Sequence, residues 1–168
     1  DYVLTAESCT EAEAESANQG WGQARATGKE EFAVAANESK TVTVNCGLAN
    51  SSVSVDFSDY ITSMFSNYSI EIHATDATDR SFSFNENNYK FKTAYFNVGE
   101  KRELTYTVTL PSPYKVYTRT LEIAPSKSYK LAVKVGGEGT STDVTLGITV
   151  DGTLLDDISL TEKINPYS

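Results

Sequence analysis

Few residues in this chain carry reactive side chains. Two cysteines, Cys9 and Cys46, and one histidine, His73, occur in 168 residues. A zinc site takes about four ligands from Cys, His and acids at suitable spacing. Two isolated cysteines and one distant histidine do not supply that set. A nucleophilic Cys–His pair needs both side chains within hydrogen-bond reach. His73 lies in "SIEIHAT", at the end of a strand pattern, and reads as a strand histidine. The cysteines leave two readings open. A Cys9–Cys46 disulfide would close a long loop and stabilise by about 3–4 kcal/mol in the chain-entropy model, which suits an exported protein. The alternative is two buried free thiols.

The acidic residues are equally sparing. "HATDATDR" holds Asp76 and Asp79 beside His73 but lacks the Asp-x-Asp-x-Asp-Gly pattern of a calcium loop. A solvated loop is the stronger reading, with an ion site as its competitor. Asp156 and Asp157 are adjacent on a strand pattern and so face opposite sides, poorly placed to work on one substrate. The chain has no Gly-x-Ser-x-Gly, phosphate-binding glycine loop or dinucleotide fingerprint. These residues imply no enzyme, metal or cofactor.

Aromatic residues offer more. Trp21 stands between Gly20 and Gly22 in a long polar stretch. Exposed, it would stack on a sugar ring or anchor a partner; otherwise it pins the loop to the body of the protein. "SFSFNENNYKFKTAYF" (81–96) is dense in rings and asparagines. Phe82 and Phe84 alternate and read as core. Tyr89, Phe91 and Tyr95 join Trp21 as candidate ligand or partner contacts.

The elements that must position these residues are strands. Ten Tyr and seven Phe against one Met and one Trp, with many Val, Thr and Ser, is strand composition. Apolar residues alternate at Val42/Val44/Cys46, Val53/Val55/Phe57, Tyr68/Ile70/Ile72, Leu104/Tyr106/Val108/Leu110, Leu131/Val133/Val135 and Val144/Leu146/Ile148/Val150. Period-two patterning means strands with one buried face. Further strands are expected at 2–7 and 31–36. "AANES" (35–39) is expected to close a hairpin between "EEFAV" and "KTVTV". "NVGEK", "LPSPY", "GGEG" and Asp151-Gly152 separate the later runs. Tyr60, Ile61, Met64 and Phe65 have helical spacing after Ser58 or Asp59, so a short helix over 58–66 is expected to cross between sheets. A helical turn is expected at 11–17. The whole reads as an all-β, two-sheet antiparallel sandwich of immunoglobulin-like character.

Charge narrows the partners. The net charge of −9 argues against binding nucleic acid phosphates or docking on anionic lipid. Apolar runs fall well short of the roughly 18–20 residues of a membrane helix. No leader pattern is visible, and a start at Asp1 without Met reads as a fragment or a mature form.

The stretch from "FAVAANESKTVTVNCGLANSSVSVDF" to "SNYSIEI" resembles a domain of unknown function in surface lipoproteins of gut Bacteroidetes, related to fimbrillin-like proteins. The resemblance runs through Cys46, Leu48-Ala49-Asn50, Val53–Phe57, residues 58–65 and Phe65-Ser66-Asn67-Tyr68-Ser69. "KTAYFNVG" and the strands after "PSKSYK" extend it over most of 30–168. It makes Cys46 a packing or stapling residue. It implies residues 1–45 as the remainder of an N-terminal sandwich without its opening strands, and 46–168 as a C-terminal sandwich, with packing of the two as one unit left open. It also implies export, an upstream lipid anchor and a place at the outer membrane or cell surface. The function so implied is a non-catalytic structural or adhesion module, fimbria-associated, with protein partners or copies of itself. The alternative is a module binding host or dietary glycans through Trp21 or the rings at 89–96.

Overall fold

The structure, a computed structural model, describes residues 1–111, 116–136, 143–151 and 159–164, with side chains for 1–111 and 118–134. Its body is a sandwich built by alternation. One sheet has the order β12-β11-β10-β4-β7, from Ser159–Ile164, Asp143–Asp151, Ser128–Gly136, Ser51–Phe57 and Ala94–Phe96. The other has the order β6-β5-β8-β9, from Ala77–Asn85, Ser69–Ala74, Arg102–Thr109 and Val116–Ile123. Val53, Val55 and Phe57 of the five-stranded sheet meet Ile70, Ile72, Phe84, Leu104 and Ile123 of the four-stranded sheet in one core. The all-β sandwich expected from the sequence is therefore present, with buried rows as its alternation indicates.

A helix, α1 (Asp59–Met64), carries the chain from β4 to β5, and so from one sheet to the other. The Ser58 hydroxyl caps it by accepting the Ile61 N–H at 3.3 Å. Ile61 is buried beneath it, while Met64 is 62% exposed.

Three features depart from expectation. The sandwich is not wholly antiparallel: β4 and β10 run parallel, with Ser52 opposite Ser128. Parallel neighbours need a long crossover, and here the chain builds β5 through β9 before returning. Second, a separate three-stranded sheet precedes the sandwich, in the order β1-β2-β3 from Tyr2–Glu7, Ala26–Phe32 and Gly47–Leu48. Its second strand lies earlier than 31–36, because pairing with β1 aligns main-chain groups from Thr27 to Phe32 whatever the side chains. Third, residues 41–46 form no strand. The chain does reverse near 35–39, where Asn37 has φ 64° and Glu38 N–H reaches Ala35 O at 3.2 Å. The returning segment then crowds the face of Gly28. A Cβ there would lie against Asn45 O, 2.8 Å from Val44 Cγ1 and 2.9 Å from Cys46 Sγ. Val42 and Val44 are half-buried and Cys46 is exposed, so this alternation marks no core strand.

The three-stranded sheet ends at Leu48. Asn50 ties it to the sandwich. Its buried side chain accepts the Arg25 N–H at 2.9 Å and donates to Gln23 O at 2.8 Å. That gives the Leu-Ala-Asn stretch a physical reason. Pro113, the glycine turns beyond Gly136, Asp156, Asp157 and the side chains of Val135 and of 144–150 lie outside the described residues.

The core supplies a direct test. Phe84 is fully buried, so Phe84→Ala is expected to cost about 3–5 kcal/mol. Phe91 is 83% exposed, and Phe91→Ala is expected to stay within about 0.5 kcal/mol of the parent. Urea denaturation with an unchanged slope reads both; a comparable loss for Phe91→Ala would contradict its exposed placement.

Candidate functional site

The site begins with a small helix between β1 and β2. "TEAE" places a hydroxyl at position 10 and a carboxylate three residues later, the sign of a capping box. Glu11–Ser16 is helical. The Glu13 N–H donates to Thr10 Oγ1 at 3.2 Å, and the Thr10 N–H to Glu13 Oε2 at 2.8 Å. The Thr10 backbone N–H, then its hydroxyl, hold the Glu13 carboxyl below the ordinary glutamate pKa.

The chain then tightens. Asn18, Gln19, Gly20 and Gly22 all have positive φ. Asn18 Nδ2 donates to Gly22 O at 2.8 Å, and the Gly22 N–H to Ala17 O at 2.9 Å. Arg80 of β6 closes the loop from below. Its Nε and Nη2 donate to Gly20 O at 3.1 and 2.9 Å, and Nη2 also reaches Glu15 O at 3.3 Å. Its plane lies over the Phe82 ring, 4.6 Å from the centroid. Burial lowers the Arg80 pKa, the Glu15 charge opposing it. Glycine at 22 is a requirement of packing as well as of φ. A Cβ there would come within 2.9 Å of Tyr95 Cβ, 3.0 Å of Ala14 O and 3.1 Å of Arg80 Nη2.

The loop presents Trp21. Its ring packs on Phe82 and Phe84 at 5.0 and 5.1 Å between centroids. Its carbonyl accepts the Tyr95 N–H at 2.9 Å, which joins the loop to the edge strand β7. Trp21 therefore does pin the loop to the sandwich. It also lines a cavity of about 310 Å³ with Asn18, Phe91, Lys92, Thr93 and Tyr95.

The other wall comes from the turn after β6. Asn85 N–H donates to Asn88 Oδ1 at 2.8 Å, Asn87 N–H to Asn85 Oδ1 at 2.9 Å, and Asn88 Nδ2 to Ser83 O at 3.0 Å. The asparagines thus build the turn that holds out Phe91. Ala94 and Phe96 point into the core and leave Tyr95 on the other face of β7. Lys92 Nζ stands 5.3 Å from the Trp21 ring centroid.

Of the four aromatic candidates, Trp21, Phe91 and Tyr95 meet at this cavity. Tyr89 does not: it is 6% exposed and packs edge-on against Phe57 at 5.1 Å, so it is a core residue. The cysteines also separate. Cys46 lies beside Gly28 on one side of β2, and Cys9 follows Ser8, whose N–H reaches Ala26 O from the other side. Both thiols are free, Cys9 half-buried and Cys46 exposed, so neither is the buried thiol of the alternative reading. His73 Nδ1 lies 2.9 Å from Ala74 O, and Asp76 Oδ1 accepts from Arg102 Nε at 3.2 Å. Among the described residues no group of three or more His, Cys, Asp or Glu could hold a metal ion. A larger hollow of about 620 Å³ on the first sheet is lined by Glu7, Arg25 and Lys29 with no aromatic ring. The Arg25 charge there is met by Glu7 at 2.7 Å.

Sequence reasoning missed the Arg80 clamp and the capping box. The box was legible in Thr10 and Glu13; the clamp joins residues 60 apart and had no local sign. Two outcomes follow for the loop. Gly22→Ala is expected to cost about 1–3 kcal/mol, whereas Gly99→Ala, with nothing within 4 Å of its new Cβ, is expected to be near neutral. Thermal unfolding compares them. Glu13 stabilises the Glu11–Ser16 helix fully above the ordinary glutamate range. That support is lost as pH falls through its lower folded-state pKa. The Thr10 amide resonance is expected to follow this titration, and to lose it in Glu13→Gln.

No curated protein matches the chain, and no solved structure does. Among the described residues no helix is long and apolar enough to cross a membrane. A family model matches residues 1–166, over the first sheet, the aromatic cavity and the sandwich together. The chain belongs to the DUF4493 family, a family of domains of unknown function.

Proposed function

We propose that this chain is a non-catalytic adhesion module that binds carbohydrate at the Trp21–Phe91–Tyr95 cavity. The observation that carries the reading is Phe91. A phenylalanine 83% exposed, at the tip of a turn braced by asparagine side chains, gains little by its own burial. Its value lies in what comes to it. Aromatic rings beside a cavity with a few polar groups are how proteins hold flat, partly apolar ligands, and a pyranose ring has such a face. The positive-φ loop and the Arg80 clamp hold Trp21 before any ligand arrives, which lowers the cost of binding.

The resemblance to fimbrillin-like surface lipoproteins of gut Bacteroidetes supports export and a place at the outer surface, with any membrane attachment through a lipid upstream. A second reading, a subunit or accessory of surface fibres, draws on the first sheet. Tyr2, Val3 and Leu4 are 59%, 56% and 42% exposed there, more apolar surface than a lone sheet needs. Regular multimers of the native protein on an unboiled gel would favour it.

Binding to a glycan array, followed by calorimetry on the best ligand, tests the first reading. Phe91→Ala and Tyr95→Ala are each expected to weaken binding about tenfold, about 1.4 kcal/mol, with the fold intact. Tyr89→Ala is expected to lower stability instead. An array on which the parent chain binds no sugar, or affinity unchanged in Phe91→Ala, would sink the reading.

A further inference from the structure

We infer that the aromatic cavity selects acidic sugars, with the Lys92 ammonium meeting a carboxylate or sulfate carried on the pyranose ring. The inference rests on the carbohydrate reading above and goes further, to the class of sugar.

Lys92 is the one formally charged residue lining the cavity. Among the described residues its Nζ makes no ion pair; its close partner is the Trp21 ring, 5.3 Å to the centroid. This is unexpected in a chain with 23 acidic residues against 14 basic ones. No carboxylate among the described residues lines the cavity, and two acids of the neighbouring elements have partners of their own. Glu15 meets Arg80 and Arg102, and Glu86 accepts the Asn67 N–H at 3.2 Å. The lysine is also placed with some care. Its N–H bonds Asn88 O at 3.1 Å, within the asparagine-braced turn that holds out Phe91. One short segment therefore sets an aromatic face and an unpaired cation side by side.

A neutral sugar would use the rings and leave that cation hydrated. A ring carboxylate or sulfate would take a charge-assisted bond from it, stronger than a neutral one. The overall charge of −9 does not forbid this. Screening reduces charges beyond about 8 Å at physiological salt, so the local ammonium decides.

The test is calorimetry of the full chain with an oligogalacturonate, its fully methyl-esterified form and a sulfated galactan oligomer. The ester keeps the ring and removes the charge. At least one acidic ligand is expected to bind about tenfold tighter than the ester. Lys92→Met is expected to bring acid and ester affinities to the same value in that variant, removing the advantage, and Lys92→Arg to keep it. Lys101→Met, the same change in net charge at the pair with Glu122, is expected to have no effect. Which acidic arm binds distinguishes carboxylate from sulfate. Ester binding equal to the acids, or acid binding untouched by Lys92→Met, overturns the selectivity and leaves the carbohydrate reading standing if Phe91→Ala still weakens binding. No binding of any of the three overturns the inference. If the array is also blank, the carbohydrate reading falls with it.

Discussion

The carboxylate of Glu15 is where three separate parts of the chain meet. It accepts the Asn97 N–H at 3.1 Å, takes Arg102 Nη1 at 3.5 Å, and lies 3.4 Å from Arg80 Nη1. The last contact is an ion pair without hydrogen-bond geometry, so the strength of Arg80's hold comes from its three bonds to carbonyls of the loop. Loss of Glu15 would leave the half-buried Arg80 without its carboxylate, whereas Arg102 keeps Asp76 at 3.2 Å. Through this junction the small helix is fixed to the edge of the sandwich, the loop is fixed to the helix, and Trp21 to the loop. The aromatic cavity inherits its rigidity from this junction at its back together with the packing of Trp21 on Phe82 and Phe84.

The sandwich was legible in the sequence because alternation and burial are the same fact in a sheet with one wet face. Val53, Ile70, Leu104 and Leu131 all fall where period two places them. The first sheet was less legible for the same reason. Its strands are largely exposed, so main-chain pairing decides them and side chains carry little of the signal. "TVTVNC" shows the opposite failure: a faultless alternation that forms no ladder, because Gly28 offers bare backbone and the segment crowds onto it.

The candidate site was half legible. Trp21, Phe91 and Tyr95 could be named as aromatic residues in polar surroundings. That they share one cavity depends on a bond from Tyr95 to Trp21 across 74 residues, which no local pattern announces. Tyr89 was misplaced because a turn breaks strand parity. Two residues from Phe91, it swings inward onto Phe57 while Phe91 swings out. The side chains of Asn85 and Asn88, just before them, are spent on the turn itself.

The parallel pairing of β4 with β10 has a consequence in time. Ser52 and Ser128 are bonded neighbours, yet 76 residues separate them. At about 5–20 residues per second, a ribosome needs about 4–15 s to make the difference. Throughout that interval β4, whose Val53, Val55 and Phe57 belong to the core, has no neighbour on its β10 side. Long-range pairing of this kind slows folding and prolongs the exposure of apolar strands. A nascent chain of this protein therefore reaches β10 with β4 still open on one side, and completes its sandwich late, by pairing β10 beside a strand made long before.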